Sequence, residues 1–399
     1  MLMAHRIRLD LNDMQRSYLA RAVGVARFAY NWALTEWGIQ YAACKADPTL
    51  PRPSEAVLRR QLNAIKREQF PWMLDVTKCA PQMAIMQLGR AFDNFFVGRA
   101  RYPTYRRKGV DDRVTISNDQ FQVDGKRLRI PKLGWVRMRE ALRFTGHIVS
   151  ACISRTADHW YASITVDFPE PPLLPTDNQG VVGVDLGITR LATLSTGETI
   201  EGPKALTRML AKMRRLSRAL SRKVKGSANR ARARLKLARL HERITHRRRE
   251  GLHQLTTSLT RRFHTIGIED LNVKGILRNR KLARAIVDMG FHEFRRQLMY
   301  KAAQRGGQVI LVDRWYPSSK MCSDCGHVLE ALTLAQRNWT CPDCGAAHNR
   351  DVNAAVNLMN MAVSSIVTAC GGKGAGVAHK RHAKPVPMKQ ESNVKANYD

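Results

Sequence analysis

Apolar residues recur at helical spacing through the first hundred positions. Leu19, Val23, Ala26 and Tyr30 form one stripe and Met83, Met86, Phe92, Phe95 and Phe96 another, which predicts a small helical region over residues 11–105. Between about 110 and 168 the pattern changes to short β-branched alternations, at Arg113–Ser117, 120–123, Arg127–Ile130 and 160–166, separated by Gly125, Gly134 and Gly146. A compact β-domain is expected there. The Pro-rich stretch FPEPPLLPTDNQG, residues 168–180, reads as a linker, because proline offers no amide to continue a ladder. VVGVDLGITRLATLSTGETI, residues 181–200, reads as a buried strand followed by two more strands separated by turn residues. Residues 203–262 return to helical periodicity. One seam runs through Leu206, Leu210, Met213, Leu216 and Leu220, and after a break at Lys225-Gly226-Ser227 a second runs through Leu237, Leu240, Ile244, Leu255 and Leu259. A strand ending Gly267-Ile268-Glu269, a helix over 292–305, a strand Gln308–Val312, a cysteine cluster and a helix over 351–367 follow. From Gly371 onward periodicity is lost, and a basic disordered tail over 371–399 is expected.

Charge changes this outline most. The hydrophobic content of 44% is ordinary, but 67 Lys and Arg against 33 Asp and Glu leave a formal charge of +34. Such a chain repels itself unless a polyanion neutralises it, and nucleic acid is the commonest such partner, since each neutralised phosphate releases condensed counterions. An anionic membrane is the rival partner. Against it, no apolar run approaches the roughly 18–20 residues of a spanning helix, and MLMAHRIRLDLNDMQ lacks the apolar core of a signal peptide. A soluble, cytoplasmic protein with no membrane role is expected. The charge is also concentrated: residues 203–262 hold 20 Lys and Arg against two acids, Glu242 and Glu250. Solvated helices usually interleave both signs, so a basic helical hairpin with one face on a core and the other facing phosphates is expected, with Arg214, Arg218, Arg222 and Lys223 as candidate contacts.

Of the eight cysteines, Cys44, Cys79, Cys152 and Cys370 are scattered and read as inert or buried thiols. Cys322, Cys325, Cys341 and Cys344 form C-x2-C-x15-C-x2-C, in which two knuckles can converge on one tetrahedral Zn2+. Gly326 and Gly345 follow the two pairs and ease the turns. Four thiolates close the coordination shell, so the expected zinc is structural. His327 and His348 read as surface or nucleic-acid contacts rather than ligands. His241-Glu242 and His246 imitate a metalloprotease motif, but their spacing of five puts the imidazoles on different helix faces.

Three acids stand out in a chain where acids are scarce. Asp185 lies inside an apolar strand, where a charge is costly unless it binds something. Glu269 ends a strand and Asp351 opens a helix; taken singly, either could be a strand-end or helix-dipole charge. Together the three can hold two Mg2+ ions roughly 4 Å apart, one activating water and one stabilising the leaving 3′ oxygen. Asp270 and Asp313 are set aside, because strand alternation points Asp270 away from Glu269. The strand meander at 181–200 is of the kind that opens an RNase H-like domain.

Several motifs together resemble the TnpB proteins of bacterial insertion sequences, relatives of type V CRISPR effectors. They are GVDLGI around Asp185, IGIEDLNVKGILRNRKLARAI from Ile266, YPSSKMCSDCG with NWTCPDCG, and NRDVNAAVNL around Asp351. FDNFFVGRARYPTYRRKG and RIPKLGWVRMR upstream are similar to the family as well. The resemblance implies a multidomain α+β chain. A β-barrel wedge domain would comprise 1–10 and 106–170, a helical recognition domain 11–105, and a linker 171–180. A RuvC-like α/β nuclease domain would comprise 181–315 and 349–370, with a zinc ribbon inserted at 316–348. It further implies a monomer that binds one guide RNA from the transposon end, recognises a short target-adjacent motif in duplex DNA and cleaves in one Mg2+-dependent site. Motif readers would lie near Lys78 and Gln82, whose spacing of four shares a helix face, although Pro81 between them should disturb that helix. Asn349 departs from the Asp usual in the family at that position. A nuclease-inactive RNA-guided regulator and a DNA-joining transposase are the alternative functions.

Overall fold

Polar and apolar residues alternate through Leu2–Asp10 (β1), burying His5, Ile7 and Leu9 on one face. β1 is an inner strand of a seven-stranded antiparallel sheet with β2 (Arg113–Ser117), β3 (Gln122–Asp124), β4 (Arg127–Ile130), β5 (Gly134–Met138), β6 (His147–Thr156) and β7 (His159–Asp167), in the order β2-β6-β7-β1-β5-β4-β3. The computed structural model describes residues 2–143, 145–168, 174–333 and 335–369. The expected tail and the first three linker residues, 171–173, lie outside the described residues.

Three helices share one continuous core with this sheet: α1 (Asp13–Ala46), α2 (Glu55–Gln69) and α3 (Cys79–Phe96). α1 begins at a reciprocal cap in which the Asn12 side chain accepts from the Gln15 amide at 2.8 Å and the Gln15 side chain from the Asn12 amide at 3.2 Å. Leu19, Ala22, Leu58, Leu88 and Phe92 meet Ile7, Ile116 and Ile164 in the core.

The basic segment forms the expected hairpin of α4 (Ala205–Ser221) and α5 (Ala228–Arg262). Its seam is thin: Ala205, Leu240 and Ile244 are buried, with Leu206, Met209, Met213 and Leu216 packed against them. Polar anchors compensate. Glu242, half of the apparent metalloprotease motif, accepts from Tyr161 Oη at 2.7 Å and pairs with His159 Nδ1 at 2.6 Å, docking α5 on β7. Helices α6 (Val273–Ile276), α7 (Ala283–Met289) and α8 (Phe291–Gln304) follow. Asp288 of α7 accepts from the Leu206 and Thr207 amides at 2.8 and 2.9 Å, capping α4 from outside its own helix.

A second sheet contains β8 (Val181–Leu186), β9 (Ala192–Leu194), β10 (Thr199–Ile200), β11 (Thr265–Glu269) and β12 (Gln308–Val312), in the order β10-β9-β8-β11-β12. β8, β9 and β10 form the expected antiparallel meander, whereas β8, β11 and β12 run parallel. A small ribbon of β13 (Asn338–Thr340) and β14 (Ala347–Asn349) leads into α9 (Arg350–Ala369), which packs on this sheet. The chain thus divides into two compact units. One comprises the chain up to Pro175, Gly202–Leu259 and Val273–Gly306; the other comprises Thr176–Glu201, Thr260–Asn272 and the chain from Gly307. No helix among the described residues is long and apolar enough to cross a membrane.

Candidate active site and metal centre

Two glycines set the geometry of the second unit. Gly183 of β8 and Gly267 of β11 are register partners, side by side in adjacent parallel strands. A Cβ on Gly183 would lie 1.8 Å from the Ala355 carbonyl oxygen, and one on Gly267 would lie 2.5 Å from that of Leu358. Only a flat, side-chain-free patch lets the α9 backbone approach this closely. Side chains alternate along a strand, so the residues two positions on, Asp185 and Glu269, stand on the α9 side of the sheet. Asp351 lies one helical turn before Ala355, on the helix face that meets the glycines. Register and helix phase thus direct all three sequence-predicted acids to one end of the α9–sheet interface.

Their electrostatics reflect this. The Asp185 carboxyl is pushed up from 3.8 to about 7, first by burial and then by the charges of Asp351 and Glu269, with Arg350 and Arg337 opposing. Burial also raises Glu269. Arg337, which the sequence reading did not single out, donates to Asp351 Oδ1 at 3.1 Å. The ribbon brings these two together, since Arg350 N donates to Arg337 O at 2.7 Å. Asn349 caps α9: its Oδ1 accepts from the Asp351 and Val352 amides at 3.2 and 3.3 Å, while its Nδ2 donates to Asn338 Oδ1 at 3.2 Å. An ionised Asp here could also cap the helix but could not donate. Asp270 points elsewhere, accepting from Arg314 at 3.3 Å.

The four cysteines of the ribbon are the group of metal-ligating side chains that converges among the described residues, with all ligand atoms within 4.8 Å of one another. The three carboxylates are not drawn together to that degree. Cys322–Cys344 and Cys325–Cys341 sulfurs are 3.6 Å apart. A tetrahedron with bonds of roughly 2.3 Å has edges of about 3.8 Å, so the cluster fits Zn2+. The Cys322 and Cys341 amides donate to His327 O and Ala346 O, closing both knuckles. His348 is not the surface residue expected from sequence. It is buried, its ring lies 4.6 Å from that of Trp339, and its Nε2 is 3.0 Å from Cys322 Sγ, so it supports a ligand instead of facing solvent. Asn353 and Asn357, one turn apart on α9, are also buried. Each Nδ2 donates to Met321 O at 2.7 Å and to Ser318 O, at 3.3 and 2.8 Å respectively, and Asn353 Oδ1 accepts from Ser323 N. The first zinc knuckle is therefore bound to the helix that carries Asp351.

In the first unit, Lys78 and Gln82 are both exposed at the start of α3. Pro81 does not disturb this helix as anticipated: it sits buried in the first turn, where an amide has no intrahelical acceptor to lose. Arg214, Arg218 and Arg222 recur every four residues along α4 and its C-cap, and they and Lys223 are exposed.

Comparison with known proteins accords with this arrangement. A family model described as "Probable transposase", OrfB of IS605, matches residues 163–280, and one described as "Cas12f1-like, TNB domain" matches 291–358. A third, described as a helix-turn-helix domain, matches 1–45, where the fold has β1 and the single long α1. The chain is 38% identical to a "Putative RNA-guided DNA endonuclease" of Streptomyces pristinaespiralis over 92% of this chain and 90% of that one. It is 33% identical to "Putative RNA-guided DNA endonuclease InsQ" of Escherichia coli (strain K12), over 93% and 94%. A structure titled "Cryo-EM structure of the Cas12f1-sgRNA-target DNA complex" shares the fold, with a TM-score of 0.53 and 14% identity over 88% of this chain and 83% of that one. With its ribbon and acid motifs in the order Asp185, Glu269, cysteines, Asp351, and with relatives matched over nine-tenths of their length, the chain belongs to the TnpB family, the OrfB group of IS605-type elements.

Proposed function

We propose that the chain is an RNA-guided, Mg2+-dependent endodeoxyribonuclease whose RNase H-like, RuvC-type site is formed by Asp185, Glu269 and Asp351. The observation that carries this reading is the Gly183–Gly267 pair, which seats α9 so that three acids from distant parts of the chain share one edge of the interface. The hard-oxygen donor set suits Mg2+, which keeps several of its waters and needs few carboxylates. Two bound ions would supply a nucleophilic water and stabilise the leaving 3′ oxygen. To serve as a ligand Asp185 would have to be ionised, which its burial and then the charges of Asp351 and Glu269 oppose and a nearby cation would favour. Arg337, paired with Asp351, supplies a cation beside the acids that could meet an incoming phosphate. The four cysteines hold a structural zinc that fixes the start of α9.

In this reading the seven-stranded sheet serves as the wedge and α1–α3 as the recognition region, and one monomer holds one transposon-end guide RNA. Pairing with that RNA supplies target specificity, so the protein mainly neutralises backbone, through Arg214, Arg218, Arg222 and Lys223, and reads a short duplex motif, through Lys78 and Gln82. The test is to purify the protein from cells carrying its native flanking DNA, sequence the RNA that accompanies it, and offer a matching plasmid. Double-strand breaks that need Mg2+ and vanish in Asp185→Ala are expected. Covalently joined ends would favour a transposase, and target binding without cutting would favour a guided regulator.

A further inference from the structure

Trp315 is 85% exposed, the most exposed of the chain's large hydrophobic side chains among the described residues. A single exposed apolar side chain is ordinary on a protein surface; what distinguishes this ring is its place on a turn that leaves β12, whose last residue pairs with Glu269. Its backbone is fixed. Tyr316 N donates to Asp313 O at 3.1 Å, closing a turn over Asp313–Tyr316, and Asp313 Oδ1 accepts from Trp315 N at 2.8 Å. The ring therefore projects from the third position of a braced turn. Neighbouring Arg314 is anchored on Asp270, whose amide donates to Val312 O at 2.9 Å. Val312 is the register partner of Glu269. Trp315 follows Val312 by three residues, a backbone reach of at most roughly 10–11 Å beyond the position paired with Glu269.

We propose that Trp315, with Arg314 beside it, is a stacking platform that holds an unpaired base of the DNA strand next to the scissile phosphate. The occupant is single-stranded nucleic acid. The chain carries a net charge of +34, and the turn that bears the ring leaves the sheet at the same end as Glu269, beside Arg314 in its pair with Asp270. An aromatic face accepts any base, which suits a site whose sequence specificity is delegated to pairing with a guide. This inference rests on the nuclease reading for the meaning of "scissile" but not for the stacking itself.

The protein co-purified with its native RNA is used for both measurements. In the first, single-turnover cutting of matched target is compared for wild type, Trp315→Ala and Trp315→Phe, alongside zinc content and target affinity. Trp315→Ala should slow cutting by about tenfold at unchanged zinc content and affinity, and Trp315→Phe should recover most of the loss. In the second, 2-aminopurine is walked along single-stranded DNA bound without Mg2+. Quenching at one or two positions should appear with wild type and Trp315→Phe and disappear with Trp315→Ala. Wild-type cutting combined with full Trp315→Ala activity overturns the proposal, as does quenching indifferent to the ring. So does a change of oligomeric mass on substitution, which would make the ring a subunit contact. A wild type that quenches but never cuts sinks the nuclease reading and leaves the stacking standing.

Discussion

Replacing Asp185 with asparagine should stabilise the metal-free protein while abolishing cutting. Unfolded, this carboxyl titrates near 3.8; folded, it is pushed up to about 7 by burial and by Asp351 and Glu269. Between these values the folded state binds more protons than the unfolded one, so the carboxyl's contribution falls as pH rises, and above about pH 7 the full cost is present. A difference of about three decades, at about 1.4 kcal/mol each, sets that cost at about 4 kcal/mol. Asparagine keeps the shape without the charge. The gain should therefore be near zero at about pH 4 and complete above pH 7, where about 2 °C per kcal/mol gives a melting temperature on the order of 8 °C higher. Mg2+ should reverse the ranking, raising the wild type but not the variant, because binding to the folded state alone adds stability. The measurement is a melting series from pH 5 to pH 8.5 with and without Mg2+, with no chelator, so that metal held by the four cysteines would stay in place. A variant less stable than wild type at pH 8, or a gain that does not vary with pH, would refute the reasoning.

Gly183→Ala should cost at least a hundredfold in cutting, since a methyl 1.8 Å from the Ala355 oxygen must lift α9 and carry Asp351 away from Asp185; target binding by the RNA complex should persist. Asn353→Ala combined with Asn357→Ala leaves the Ser318 and Met321 carbonyls without these donors, at about 1–3 kcal/mol for each, and faster zinc loss to a competing chelator is the readout. Arg337→Ala removes a cation that lowers the Asp185 pKa, so the acid limb of the pH–rate profile should move to higher pH; an unmoved limb would detach Arg337 from the site. Cys344→Ser should release zinc and impair cutting through structure, and full zinc content with full activity would contradict the assignment.

What could be read from sequence was whatever one segment displays alone. Asp185 was visible because a charge inside an apolar strand is anomalous without knowledge of its neighbours. The cysteine pairs were visible because their spacing is itself the geometry. Gly183 and Gly267 were overlooked although VVGVD and TIGIE repeat the same glycine-x-acid pattern; its meaning depends on which backbone crosses the strands, and that is set by a helix that begins only at Arg350. His348 was misjudged because its burial comes from pairing across the ribbon with Trp339. Arg337 went unnoticed because an arginine in a chain this basic carries no signal until the β13–β14 pairing puts it beside Asp351.

These overlooked residues share one task, which gives the ribbon a reason to stand between Glu269 and Asp351 in the chain. A helix end frays more readily than its middle, yet a metal-binding role for Asp351 would require it to be held there within the reach of a small cation. Asn349 caps that end, Arg337 grips the carboxylate from β13, and Asn353 and Asn357 bind the first knuckle one and two turns further along. A bound metal can staple a short, loop-rich segment, because its bonds replace a core that so few residues cannot supply. On the proposed reading, zinc held by the four cysteines would act at a distance from the chemistry, by making the first turn of α9 rigid enough to hold an acid that its neighbours Asp185 and Glu269 repel.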